Sequence, residues 1–222
     1  KIREICHQRP SYGYRRVCAL LNRTLLTQGC LAVNHKRMYR IMRNANLLLT
    51  RYSQRPTRTH EGKIITIASN TRWCSDTMTI KCFNGDKVEV AFALDTCDRE
   101  IVGYVAKASA MTGADIRDLM VYSLESRLTQ TKRLPQNIQW LSDNGPPYVA
   151  HETRSFGRKL GFIVCNTPSY SPESNGMAEA FVKTFKRDYV YLNELDDADT
   201  VLKQLPGWFN DYNEYAPHRG LN

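Results

Sequence analysis

The stretch at residues 72–95, RWCSDTMTIKCFNGDKVEVAFALD, decides how this chain reads. Two runs rich in β-branched and apolar residues, 72–80 and 87–95, flank Phe83-Asn84-Gly85-Asp86, which has the chemistry of a turn. So short a connection between strands calls for an antiparallel hairpin. Within the first run stands Asp76. An ionised carboxylate in an otherwise apolar strand is costly unless it is paired or holds a metal. One segment thus raises both a fold and a site.

Reading onward, TCDR (96–99) makes a second turn and EIVGYVAKA (100–108) a third strand, completing an antiparallel meander. The pattern then alternates. A helix is expected over 112–128, a short buried strand over 137–142, a helix over 148–161 and a strand over 162–166. Two helices follow, within 171–189 and 197–215, the second kinked or interrupted at Pro206-Gly207. A meander followed by alternating helix and strand is an α/β arrangement, a mixed sheet flanked by helices.

Reading backward, residues 49–62 lose all apolar periodicity and collect Thr, Ser, Arg and a Pro, as a linker does. Ahead of it, residues 1–48 read as a small helical domain, and 63–222 remain for the core with its carboxy-terminal helix. Tyr14, Val17, Cys18, Leu20 and Leu21 recur at helical spacing after Gly13. Met38, Ile41, Met42 and Leu47 do so after Asn34, a suitable N-cap. Gly29 lies in the intervening turn. Arg37, Arg40 and Arg43, three apart, give the second helix a basic side. This is a helix-turn-helix outline, whose second helix can enter a major groove.

Charge follows the same division. Residues 1–60 hold 13 Lys and Arg against the single acid Glu4, whereas the remainder holds 18 against 21 acids. An excess confined to one end is the footprint of a nucleic-acid-binding segment joined to something else. The seven cysteines are odd in number and include no CxxC pair, which argues against a disulfide framework or a zinc ribbon. They are expected to be reduced and mostly buried. With no signal segment and no apolar run of membrane-spanning length, a soluble cytoplasmic protein without a membrane partner is expected. The abrupt ends lead to the expectation that the natural protein extends at either side.

Three acids fall where sheet and helix can converge: Asp76 in the first strand, Asp143 just after the strand 137–142, and Glu179 on the following helix. Asp143 could serve only the Asp-Asn-Gly turn. On a helix advancing roughly 100° per residue, Lys183 and Lys186 lie within about 40° of Glu179, opposite a stripe of Ala178, Phe181, Val182, Phe185 and Tyr189. A solvated Glu–Lys surface would show the same pattern.

The blocks WCSDTMTI (73–80), LDTCDREIVGY (94–104), WLSDNGPPY (140–148) and SPESNGMAEAFVKTFKRDY (171–189) resemble those of the D,D,E transposase and retroviral integrase superfamily. The closer resemblance is to bacterial insertion-sequence transposases made from a frameshifted second reading frame. In that group 35 residues separate the second Asp from the Glu and a basic residue follows seven later, as for Asp143, Glu179 and Lys186 here. YGYRRVCALLNR (12–23), VNHKRMYRIMRNANLL (33–48) and YNEYAPHRGLN (212–222) are similar to the group's terminal blocks. Glu173 would leave only 29 residues after Asp143, so Glu179 is preferred. Asp95 matches a recurring acid and reads as structural.

The resemblance implies a ribonuclease-H-like core in which Asp76, Asp143 and Glu179 are catalytic and hold two Mg²⁺ ions, with Mn²⁺ able to substitute. It implies metal-dependent strand cleavage and strand transfer at the ends of an insertion sequence. Lys183 and Lys186 would contact phosphates. Arg37, Arg40 and Arg43, with Arg15 and Arg16, would contact double-stranded DNA at terminal inverted repeats. Synapsis with target DNA implies at least a homodimer, acting in a bacterial cytoplasm and nucleoid-associated when bound. A DNA-binding regulator with an inactive core, or a nuclease that cuts without joining, are the alternatives.

Overall fold

The computed structural model describes residues 1–50, 66–128, 137–167 and 176–218, which fall into two compact units. The first carries three helices, α1 (Ile2–Gln8), α2 (Tyr14–Thr27) and α3 (His35–Asn44). Gly29, at φ 69°, closes α2. The Cys30 N–H reaches back to the Leu25 carbonyl at 2.8 Å and the Gly29 N–H to that of Leu26 at 3.0 Å, which satisfies carbonyls the helix end leaves open. Asn22 then clamps the returning chain, accepting from the Val33 N–H at 2.8 Å and donating to its carbonyl at 3.0 Å. Asn34 caps α3 by accepting the Lys36 N–H at 2.8 Å.

Tyr12, Val17, Cys18, Leu21, Met38 and Met42 form the core of this unit. Ile41, expected on the apolar stripe, is instead 40% exposed: Met38 and Met42, one turn apart, centre the buried stripe and leave Ile41 on its flank. Most of the expected linker, from residue 51 on, lies outside the described residues.

The second unit is built on a five-stranded sheet in the order β3-β2-β1-β4-β5, with β1 (Arg72–Lys81), β2 (Lys87–Asp95), β3 (Ile101–Lys107), β4 (Gln139–Ser142) and β5 (Ile163–Asn166). β1, β2 and β3 run antiparallel, while β4 pairs β1 and β5 pairs β4 in parallel. The sheet is mixed, as its sequence pattern implies. Side chains alternate across it. Cys74, Met78, Ile80, Val90, Phe92 and Leu94 face one core, shared with α7 (Gly176–Asp188) and α8 (Ala198–Glu214). Trp73, Ala91, Ala93 and Trp140 face the other, shared with α4 (Gly113–Leu128), α5 (Pro146–Val149) and α6 (His151–Leu160).

One expectation needs correction, and of a second only one alternative remains. The helix read over 148–161 is two pieces, because Ala150 is extended (φ −52°, ψ 132°) between α5 and α6. The break allows Tyr148 to turn into the core while Gly157 brings α6 against β5, where an added Cβ would stand 2.9 Å from Val164 Cγ2. Conversely, α8 continues through Pro206. Pro206 is exposed, so the carbonyl it leaves without an N–H partner can be met by water. All seven cysteines are free, but only Cys18, Cys74 and Cys82 are buried, and Cys30 is exposed. Among the described residues no helix is long and apolar enough to cross a membrane.

Candidate active site

The register of the sheet explains how the acids approach one another. Ser75 of β1 is paired with Ser142 of β4, so Asp76 and Asp143 come one residue later on neighbouring parallel strands. Asp76 is the cross-strand partner of Phe92 and shares its face, the one covered by α7. The Phe92 and Phe181 rings meet at 4.5 Å between centroids, which docks α7 with Glu179 two residues before the contact. Ala178, Phe181, Phe185 and Tyr189 all enter the core, leaving Glu179, Lys183 and Lys186 on the other side of the helix.

Electrostatics record the convergence. The Asp76 carboxyl is pushed up from 3.8 to about 6, first by burial and then by the charges of Asp143 and Glu179, against the lowering effect of the Thr77 N–H it accepts at 2.7 Å. Two acids on other elements thus act on the one in β1. The donor set, three hard carboxylates crowding like charge, has the chemistry that favours a divalent cation. Among the described residues no group of three or more His, Cys, Asp or Glu side chains is arranged to hold a metal ion. What links the three acids is the effect of Asp143 and Glu179 on the Asp76 carboxyl.

Each also has a local partner. Asp143 Oδ1 accepts the Gly145 N–H at 3.0 Å, so the turn role and a site role coexist. Asn166 Nδ2 donates to the Asp143 carbonyl at 2.9 Å. Lys183 Nζ lies 3.6 Å from Glu179 Oε2, and both side chains are largely exposed. Lys186 is half-buried. Glu173 lies outside the described residues. Asp95 is fully buried and accepts four N–H groups, from Asn70, Trp73 Nε1, Cys97 and Asp98, which gives it a structural role at the strand end.

In the helical unit, Arg15, Arg37, Arg40 and Arg43 are exposed. Arg16 is different. Its guanidinium lies 3.4 Å from the centroid of the buried Tyr12 ring, a cation–π contact that ties it to the core. A cleft of about 550 Å³ is lined by Tyr14, His35, Lys36, Tyr39 and Arg40. Lys36, which the three-residue spacing of the arginines left out, belongs to the same exposed side of α3, and its angle on the helix would have revealed it. Tyr148 was also missed. It is buried, its hydroxyl 3.0 Å from Ser75 Oγ, and burial followed by the charges of Asp76 and Asp143 pushes that hydroxyl's pKa up, out of the ordinary tyrosine range.

Comparison with known proteins adds independent findings. Models described as "Integrase core domain" match residues 68–172 and 162–222, and one described as "HTH-like domain" matches residues 1–55. The chain is 44% identical over 224 aligned residues to "Transposase InsD for insertion element IS2A/D/F/H/I/K" of Escherichia coli, covering 100% of this chain and 74% of that protein. The transposase InsD of insertion element IS2-9, from E. coli strain K12, is also 44% identical, with 100% and 72% covered. Among solved structures, a simian T-cell lymphotropic virus intasome in complex with PP2A regulatory subunit B56 gamma gives a TM-score of 0.58 at 16% identity, covering 100% of this chain and 72% of that one. The catalytic domain of Mos1 mariner transposase gives 0.51 at 18% identity, covering 64% and 70%. These two share the ribonuclease-H-like integrase fold with this chain.

Proposed function

The chain belongs to the integrase-core transposases of insertion elements, and from that premise we propose that it cuts and joins DNA through Asp76, Asp143 and Glu179. The observation that carries this assignment is the register that sets Asp76 and Asp143 each one residue past the paired Ser75 and Ser142, on a sheet against which Phe181 docks the helix of Glu179; the raised Asp76 carboxyl agrees with it. Asp76, Asp143 and Glu179 are the groups that would hold the metal. When bound, two Mg²⁺ ions, or Mn²⁺ in their place, supply Lewis-acid charge at the attacking and departing oxygens of a phosphodiester. Water breaks the P–O bond at the element's end and leaves a 3′-OH. That hydroxyl then attacks a phosphodiester of the target, forming a new 3′-O–P bond and releasing the target's own 3′-OH. No covalent bond between protein and DNA is required.

Lys183 and Lys186 act as point charges on phosphates beside the reacting one, because they share a helix face with Glu179. The helical unit binds double-stranded DNA at the inverted repeats through Arg37, Arg40 and Arg43, helped by Arg15. Arg16 has its cation engaged on Tyr12, and its part is to hold α2 in place. Bringing two ends to one target requires at least two copies of the chain, and the setting is the bacterial cytoplasm, on nucleoid DNA. The test is to incubate the purified chain and Mg²⁺ with DNA carrying the element's ends. Nicking at the end followed by joining is expected. Binding without cutting, or cutting without joining, would overturn the assignment.

A further inference from the structure

Asp143 stands one residue beyond the last paired position of the β1–β4 ladder. The ladder alone therefore does not set its distance from Asp76. On the side of β5 the Asn166 amide holds the Asp143 carbonyl at 2.9 Å, and on the side of β1 a ring of contacts reaches Asp76. Asp143 Oδ1 accepts the Gly145 N–H at 3.0 Å, and the Gly145 carbonyl accepts the Tyr148 N–H at 2.9 Å. The Tyr148 hydroxyl meets Ser75 Oγ at 3.0 Å, and Ser75 is joined to Asp76 by a peptide bond. Pro146 and Pro147 fix two φ angles inside this ring. A side chain at Gly145 would crowd the acid, since an added Cβ would lie 3.0 Å from Asp143 Oδ1.

The tyrosine ring packs in the apolar cluster beneath the sheet with Trp73 and Trp140, a role phenylalanine would fill equally well. Burying a hydroxyl there costs free energy unless it is bonded. Ser75 is fully buried and supplies that bond. The alternation of the strand puts Ser75 on one face and Asp76 on the other, so the bond sits directly under the acid.

We propose that Tyr148 is a positioning residue: through Ser75 it pins the loop that carries Asp143 to the strand that carries Asp76, and so sets the separation of the two carboxylates for metal. This rests on the assignment of those acids made above. It makes metal affinity, more than the chemistry at saturating metal, the quantity Tyr148 controls.

The test compares wild type, Tyr148→Phe, Ser75→Ala and the double variant, following melting temperature and DNA cleavage as functions of Mg²⁺ concentration. Tyr148→Phe is expected to raise the half-maximal Mg²⁺ concentration in both measurements by roughly tenfold, the lower end of what removing an outer partner does to metal affinity. Cleavage at saturating Mg²⁺ should largely recover. Ser75→Ala should give the same displacement and the double variant no more than either. If Tyr148→Phe folds poorly, Ser75→Ala, which leaves the ring in place, carries the same comparison. A wild-type protein that melts at the same temperature with and without Mg²⁺ would overturn the metal assignment and this inference with it. A wild type that responds, beside variants with an unchanged Mg²⁺ midpoint, would overturn the inference alone, whatever their melting temperature without metal.

Discussion

Asp76, within β1, and Asp143, just past the end of β4, stand at the same level, each one residue beyond the paired Ser75 and Ser142. Asp→Asn keeps the size and removes the charge a cation needs, so Asp76→Asn or Asp143→Asn should abolish cleavage and joining while end binding, supplied by the helical unit, stays within about twofold. Gel-shift and cleavage assays on the same DNA check both halves. A variant that still cleaves at a near-normal rate with Mg²⁺ would remove that acid from the site.

The Asp76 carboxyl also sets a pH dependence. Burial, then Asp143 and Glu179, raise it from 3.8 to about 6 in the folded chain. Between those values the folded state binds more protons than the unfolded one, so without metal the stability Asp76 contributes is full below about pH 4 and is lost as pH rises through about 6. A metal must displace that proton. The gain in melting temperature on adding Mg²⁺ should therefore be small below about pH 6 and grow above it. Melting curves with chelator and with Mg²⁺ across about pH 4 to 8 test this, and Asp76→Asn should flatten both trends.

What could be read from the sequence was local and periodic. The hairpin follows from two strand-like runs and the turn chemistry between them, whereas its register, Lys81 opposite Lys87, was not legible there. Asp76 declared itself because a charge inside such a strand needs a reason. Asp143 was ambiguous, and the structure shows why: its carboxylate does cap its own turn at Gly145. Glu179 needed the apolar stripe of its helix, now seen packed on β1 and β2, to fix the opposite face. The helix α1 escaped separate notice because it is 7 residues long and buries none of them fully. The Ser75–Tyr148 bond spans 73 positions, and no local pattern announces a pairing that distant.

The arginines of the helical unit should separate by role. Arg37, Arg40 and Arg43 are exposed, so replacing all three with alanine should change stability by no more than about 0.5 kcal/mol per site. It should lower the slope of log affinity against log salt by about one for each phosphate no longer neutralised. Arg16→Ala should instead destabilise the unit by about 1 kcal/mol, because the Tyr12 ring then loses the nearer of its two cations, 3.4 Å from its centroid, and keeps the more distant Arg9 at 5.8 Å. Salt titrations of end binding and thermal melts distinguish the two outcomes, and equal effects on both measurements would undo the division.

Lys183 gives the sharpest test of what the exposed face of α7 does. Its ammonium is 3.6 Å from Glu179 Oε2, with the lysine 79% and the glutamate 45% exposed. A pair so open to solvent is worth about 0.3–0.5 kcal/mol. If Lys183 acts only as that partner, Lys183→Ala should move the Mg²⁺ midpoint by about twofold at most, toward tighter binding, because a competing cation is gone. If it also holds a phosphate, as we propose, cleavage at saturating Mg²⁺ should fall by about tenfold or more, beyond what the pair can account for. Glu179→Gln should eliminate cleavage and the Mg²⁺-dependent gain in melting temperature together, whereas Glu173→Gln should keep most of both. A Lys183→Ala protein with wild-type cleavage at saturating metal would return this face of α7 to an ordinary solvated surface.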